Sequence, residues 1–188
     1  MPQAIRFWRK AHARISLRAM SRLSRRLSAG IFFLAVLAAA PQALAACSDA
    51  AAPGVAWQRC YLDGQNLRGT DLTGANLQGT SFIRADLTDA VLTNARALGA
   101  KFITATMTEI RFDGAQLEQA DFTKAELAGA SFREADLRRA RFFRADLKGA
   151  DLTGAKLSGA DLLNADLSGA TWTDGVKICA ENSIGRCD

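Results

Sequence analysis

Chemistry in this chain would have to come from four cysteines and a large supply of carboxylates, because residues 47–188 contain no histidine. The one histidine, His12, lies in an N-terminal stretch of different character. Without an imidazole a Ser-His-Asp relay has no general base, and a mixed Cys/His zinc site lacks its nitrogen ligand. The carboxylates recur at one place of a repeating pattern, as surface decoration does. No pair of them converges with a base, an orienting partner and an oxyanion donor. The glycine-rich calcium nonapeptide of β-helical toxins is also missing. These residues therefore assign no catalytic, cofactor-binding or metal-ligating position, no cofactor is expected, and the chain reads as a non-enzyme. The cysteines Cys47, Cys60, Cys179 and Cys187 fall in two pairs at the two ends of the repeating region.

The elements that must position these groups are set by a period of five. Apolar centres recur every five residues from Leu62 to Trp172, most regularly over residues 120–170. On an α-helix a step of five advances roughly 140°, which scatters the leucines around the axis. On a strand, side chains alternate between faces with period two, so successive leucines would point to opposite sides. The pattern is met by a chain that turns a corner every five residues and keeps each centre inside. Alanine two places before the centre is small enough to sit beside it at the corner. The other three places take Asp, Asn, Ser, Thr, Lys, Arg and Gly, and face water.

Phenylalanine sets the number of quintets in a coil. Phe82, Phe102, Phe122 and Phe142 lie twenty residues apart, and Phe112 and Phe132 form a second such series. A coil of fifteen residues would stack Phe82 on Ala97, whereas twenty gives two aromatic columns on opposite walls. Four quintets per coil make about six coils, on the order of 28 Å at the strand spacing. Ala97, Met107 and Ile110 depart from the pattern as a small centre, a flexible centre and an oversized corner, and mark a place of local repacking.

The run resembles the pentapeptide-repeat family, whose motif A(D/N)LXX appears as Ala85-Asp86-Leu87, Ala145-Asp146-Leu147, Ala150-Asp151-Leu152 and Ala165-Asp166-Leu167. The resemblance covers roughly residues 60–174 and implies an all-β fold, a right-handed quadrilateral β-helix.

Residues 1–46 hold eight of the 24 Lys/Arg and none of the 19 Asp/Glu. This basic stretch, the short apolar run from Ile31 to Ala40 and the small residues Ala43-Leu44-Ala45-Ala46 together read as a secretory signal peptide. The apolar run is too short to span a bilayer as a mature helix. Met20 offers an alternative start that gives a leader of more ordinary length. Ser24-Arg25-Arg26 touches the twin-arginine pattern, but Leu27-Ser28 departs from its usual continuation. Once the leader is removed, the formal charge changes from +5 to a small negative value, so the pI near 9.3 says nothing about nucleic acid. No nucleic-acid partner is expected.

An even number of cysteines in an exported chain reads as disulfides. A bridge needs Cα atoms within about 7 Å, and a stack of coils holds its two ends apart. The pairing expected is therefore Cys47–Cys60 at one end and Cys179–Cys187 at the other. Leu44-Ala45-Ala46-Cys47 also resembles a lipobox, in which Cys47 would be lipidated and Cys60 left free; that alternative stays open. The expected organisation is a leader (1–46), an N-terminal cap (47–59), the β-helix (60–174) and a C-terminal cap (175–188). Pro53-Gly54-Val55-Ala56-Trp57 would cover the first coil. Trp172 and the tail would cover the last, and this closing phrase resembles that of exported bacterial members of the family.

Sorting the quintets by fours assigns outer residues to four walls. The first wall (centres Leu62, Phe82, Phe102, Phe122, Phe142, Leu162) carries Arg84, Lys101, Lys124, Arg141 and Arg144. Before its centres run Lys101, Asp121, Arg141 and Asp161, a ladder of alternating sign that reads as stacking between coils or as a basic stripe. The second wall (centres Leu67, Leu87, Met107, Leu127, Leu147, Leu167) carries Asp86, Asp89, Glu109, Glu126, Asp146 and Asp166 against Arg68 and Lys148. It is a candidate face for a cationic partner or ion, with solvated decoration as the plain alternative.

The leading expectation is an exported, periplasmic or secreted, non-catalytic protein whose walls serve as an interaction or envelope-associated scaffold for a protein partner. The resemblance also implies a second reading, since some members of the family act on DNA gyrase by presenting a DNA-like rod. Export and the modest negative charge count against it. A third reading is a lipoprotein anchored at Cys47, the one route by which membrane association is expected. The sequence leaves the oligomeric state open.

Overall fold

A computed structural model describes residues 47–188; the leader assigned to residues 1–46 lies outside them. The fold is built from one turn repeated. In each quintet the carbonyl of the central residue accepts a hydrogen bond from the corner N–H three residues on, as in Ala75 N to Leu72 O at 3.0 Å. The third residue of that turn needs a left-handed backbone, the requirement of a type II turn. Every fifth residue from Gly54 to Gly169 meets it, with φ between 54° and 72°. Half of these positions are glycine, which adopts the conformation without steric cost.

Between turns the chain is extended for one short stretch and pairs with the coils below and above. Leu77 N donates to Arg96 O at 2.7 Å, and Asn76 N donates to Val55 O at 2.8 Å. All parallel bridges join residues twenty apart, from Ala56 with Asn76 to Asp151 with Thr171. Four quintets therefore make one coil, and four ladders form four walls. The fold is a right-handed quadrilateral β-helix.

The interior is filled as the period requires. The centres and the corner alanines are buried through the middle of the stack. On the first wall Phe82, Phe102, Phe122 and Phe142 stack with centroids 5.2, 5.0 and 4.8 Å apart. Phe112 and Phe132, on the third wall (centres from Leu72 to Trp172), stack at 5.3 Å and meet the first column edge-on at 5.6–5.9 Å. Offset and edge-to-face contacts are the arrangements the ring quadrupole favours. Ala97, Met107 and Ile110 are fully buried, and the ladders run past them without a break.

The stack starts earlier than the repeat announces. Ala56 pairs with Asn76, and Trp57 is buried as the first centre of the fourth wall (Trp57, Leu77, Ala97, Leu117, Leu137, Leu157). Residues 53–57 are thus part of the first coil rather than a cover over it. Val55 there takes the corner place of alanine and Trp57 the place of leucine, which hides the period. A disulfide joins Cys47 to Cys60, with Cα atoms 5.5 Å apart, and Cys60 fills a buried corner.

The other end closes differently. After Trp172 the chain reverses and pairs antiparallel with the last coil, Ile178 with Thr171 and Ile184 with Asp166. The Cys179–Cys187 disulfide spans eight residues of this tail. Ser183 is buried, and its hydroxyl accepts from Asp188 N at 3.2 Å. The tail pairs with the second and third walls and touches the edge of the first only at Gly185, beside Leu162 and Asn164. On the first and fourth walls Leu157, Gly159, Leu162 and Asn164 find no backbone acceptor for their N–H groups among the described residues. The cover expected over the whole last coil is a cover over half of it. The charged, exposed Lys156 and Asp161 flank the open edge, one of the ways proteins discourage strand addition.

Candidate functional site

The second wall holds the acidic candidates, and the turns determine where each one points. Asp86, Thr106, Glu126, Asp146 and Asp166 form one ladder, each a bridge residue of its coil. Asp89 and Glu109 sit in the left-handed corner row, with φ of 59° and 58°. The wall brings all six carboxylates to one side of the rod, in two rows rather than a cluster.

The aspartates of the ladder are occupied by their own turns. Asp86 accepts from Thr88 N at 3.1 Å and from the Thr88 hydroxyl at 2.6 Å. Asp166 accepts from Ser168 in the same way at 3.1 and 2.6 Å, and Asp146 accepts from Lys148 N at 3.1 Å. This Asx-turn geometry recurs on the other walls at Asp71, Asp121, Asp151 and Asp161. It explains why Asp or Asn precedes the centre so often: the side chain satisfies an N–H that the turn leaves free. Read from the sequence these residues were solvent-facing decoration, and their structural part was missed. The signal was there in the spacing Asp-Leu-Thr/Ser at Asp71, Asp86, Asp151 and Asp166.

Two cations reduce the field of the wall. Arg68 lies 3.5 Å from Asp86 and 3.6 Å from Asp89, and Lys148 lies 4.0 Å from Asp146 and 3.2 Å from Asp166. The Thr88 hydroxyl is the main reason the Asp86 carboxyl titrates below its usual range, with Arg68 adding to it. At Asp166 burial pushes the carboxyl up, but the Ser168 hydroxyl and N–H together with Lys148 outweigh it and hold it low. Lys148 is raised, chiefly by its hydrogen bond to Asp166. Glu109 and Glu126 make no ion pair among the described residues. The Glu109 carboxylate folds over Gly129, into the space that an added Cβ there would need. Among the described residues no group of three His, Cys, Asp or Glu is placed to hold a metal ion.

The alternating ladder of the first wall is realised in part. Arg141 pairs with Asp121 at 3.1 Å, whereas Lys101 and Asp161 make no ion pair among the described residues.

These features define a solenoid whose ladder aspartates serve their own turns and whose walls stack coil on coil. The chain belongs to the pentapeptide-repeat family: the model described as "Pentapeptide repeat region" matches residues 70–142, and that described as "Pentapeptide repeats (8 copies)" matches residues 47–82 and 135–171. No curated protein matches the chain. Among solved structures it is similar to HetL, a pentapeptide repeat protein involved in heterocyst differentiation regulation in the cyanobacterium Nostoc, at 29% identity and a TM-score of 0.47. That alignment covers 66% of this chain and 64% of HetL. It is also similar to QnrB1, a plasmid-mediated fluoroquinolone resistance protein, at 26% identity and a TM-score of 0.33, over 60% of each chain. A pentapeptide repeat protein of the Arabidopsis thaliana thylakoid lumen is 30% identical over 57% of this chain and 68% of its own, with a TM-score of 0.24. The chain thus spans less than two thirds of the length of HetL and QnrB1.

Proposed function

We propose that this protein is an exported, non-catalytic β-helical scaffold, periplasmic or secreted, that offers its walls to a protein partner. The observation that carries the reading is the Cys47–Cys60 and Cys179–Cys187 pairs, each set at one end of the stack. Such bridges persist in oxidising compartments. They agree with the leader and A-x-A site of residues 1–46. The absence of histidine from residues 47–188 supports the non-catalytic part. On the acidic wall the middle, around Glu109 and Glu126, is the stretch open to a cationic partner, since Arg68 and Lys148 occupy the two ends.

The engagement of the Cys47 sulfur with Cys60 favours an ordinary signal-peptidase cut over a lipid anchor on that sulfur. The DNA-mimic reading gains nothing from the acidic wall, whose aspartates serve turns and whose ends are neutralised. Cell fractionation with intact-mass measurement tests the proposal. A chain starting near Ala46 or Cys47 in the periplasmic or secreted fraction is the expected result. A full-length chain in the cytosol, or an acylated one in the membrane fraction, contradicts it.

A further inference from the structure

The first wall differs from the other three in one row. The residues just after its centres include Ile83, Ile103, Phe143 and Leu163, broken by Thr123. The equivalent rows of the other walls are polar or charged except for Leu98 and Ala128. Ile83, Ile103 and Phe143 are half-buried against their stacked neighbours, and Leu163 is 60% exposed. The row covers four coil spacings, about 19 Å. At its other end the wall presents Tyr61, 84% exposed. An apolar line of this length on a solvated wall needs a partner or a reason.

Cations flank the line on both sides. Arg84, Lys124 and Arg144 project from the left-handed corners, and Lys101 and Arg141 from the bridge positions. Among the described residues Arg141 alone of these is in an ion pair, with Asp121. The Arg144 guanidinium lies over the Phe143 ring, 5.2 Å from its centroid, with no carboxylate partner among the described residues. The carboxylates of the wall are already engaged. Asp63 accepts from the Ser81 hydroxyl and Ile83 N, Asp121 from Thr123 N, and Asp161 from Leu163 N.

Charge is also divided across the rod. The first and fourth walls, which adjoin, carry ten cations against five carboxylates; the second and third carry four against eleven. A planar anionic surface would attract one half and repel the other, which turns the first and fourth walls toward it.

We infer that the first wall docks on an anionic phospholipid surface, with Arg84, Lys124 and Arg144 on lipid phosphates and the Ile83–Leu163 row, together with Tyr61, at the boundary between headgroups and acyl chains. Away from its two ends, where Tyr61, Leu162 and Asn164 keep free N–H groups, a polypeptide strand would find no backbone edge on this wall, because its N–H and C=O groups are spent between coils. A lipid surface asks for none; basic side chains beside apolar ones are what interfacial binding uses. This goes beyond the scaffold reading and does not depend on it, since docking is read on isolated protein.

The test is co-sedimentation of the purified, processed protein with vesicles of equal parts phosphatidylglycerol and phosphatidylcholine, and with phosphatidylcholine alone. Binding to the anionic vesicles, absent with neutral ones and lost at high salt, is expected. At about 1 kcal/mol per basic side chain near an anionic surface, the triple variant Arg84→Gln, Lys124→Gln and Arg144→Gln lowers the partition coefficient roughly a hundredfold. A matched pair on the third wall, Arg111→Gln with Arg133→Gln, leaves it unchanged. Leu163→Ser with Phe143→Ser weakens binding to the same vesicles without removing its salt dependence. Unchanged circular dichroism of each variant establishes that the fold is kept. No sedimentation with anionic vesicles, or equal loss from the third-wall pair, overturns the inference. Binding to polyglutamate but not to vesicles overturns it too, and moves the face to an acidic protein.

Discussion

At the residue scale the fold depends on a backbone conformation that most side chains resist. Thr104 holds φ of 54° in the left-handed corner row although its β-carbon is branched, which makes it the least suited of the residues found there. The left-handed region costs an L-residue roughly 1–2 kcal/mol that glycine does not incur. Thr104→Gly is accordingly expected to stabilise the protein by about 1 kcal/mol, after the greater freedom of glycine in the unfolded chain is subtracted. A higher denaturant midpoint checks it. The Asx turns set a second expectation. Asp71, Asp86, Asp151 and Asp166 have carboxyls held below the usual range in the folded state. A depressed folded pKa contributes stability that is present above the unfolded value, about 3.9, and is lost as pH falls through the folded one. The thermal midpoint should therefore hold steady from neutral pH down to about 5 and fall below about 4. A midpoint that rises on acidification would contradict the assignment.

At the scale of the coil, the column of phenylalanines is the centre of packing. Phe122 touches four other rings, stacked on Phe102 and Phe142 and edge-on to Phe112 and Phe132. Phe122→Ala should cost about 3–5 kcal/mol, because flanking coils cannot collapse into the space without breaking their ladders. Urea unfolding of the two proteins measures the difference. Much of this element was legible beforehand. The twenty-residue recurrence of Phe82, Phe102, Phe122 and Phe142 identified the coil, since rings on one wall must stack at the strand spacing. The turns were less legible. Glycine at Gly64, Gly69, Gly74 and Gly79 hinted at a left-handed place, but Arg84, Asp89 and Asn94 follow in the same place and blur the pattern. The first coil was hidden because Trp57 and Val55 fill its positions without resembling the motif. The antiparallel tail had no period to read, so how far it reaches over the last coil, along Thr171 and Asp166 but not Leu157 and Leu162, appears only in three dimensions.

At the scale of the molecule, residues 47–188 form a rod with unlike sides and unlike ends. Its sides divide the charge, and the acidic candidates Asp86, Asp89, Glu109, Glu126, Asp146 and Asp166 do share one wall, as the sorting by fours places them. What that sorting could not give was the use of each carboxylate, which depends on turn geometry and on the reach of Arg68 and Lys148. Its ends are tied by bridges over sequence separations of 13 and 8 residues. Each closes a short loop worth about 2–3 kcal/mol. Both hold chain against a coil that has no further neighbour, where a solenoid is most open to fraying and association. The proposed exported scaffold rests on those two ends. Its most direct test is disulfide mapping by mass spectrometry of non-reduced peptides from the protein isolated from cells. Linked peptides joining Cys47 to Cys60 and Cys179 to Cys187, with no free thiol, are the expected result. Free cysteines, or a bridge running from Cys60 to Cys179, would contradict it.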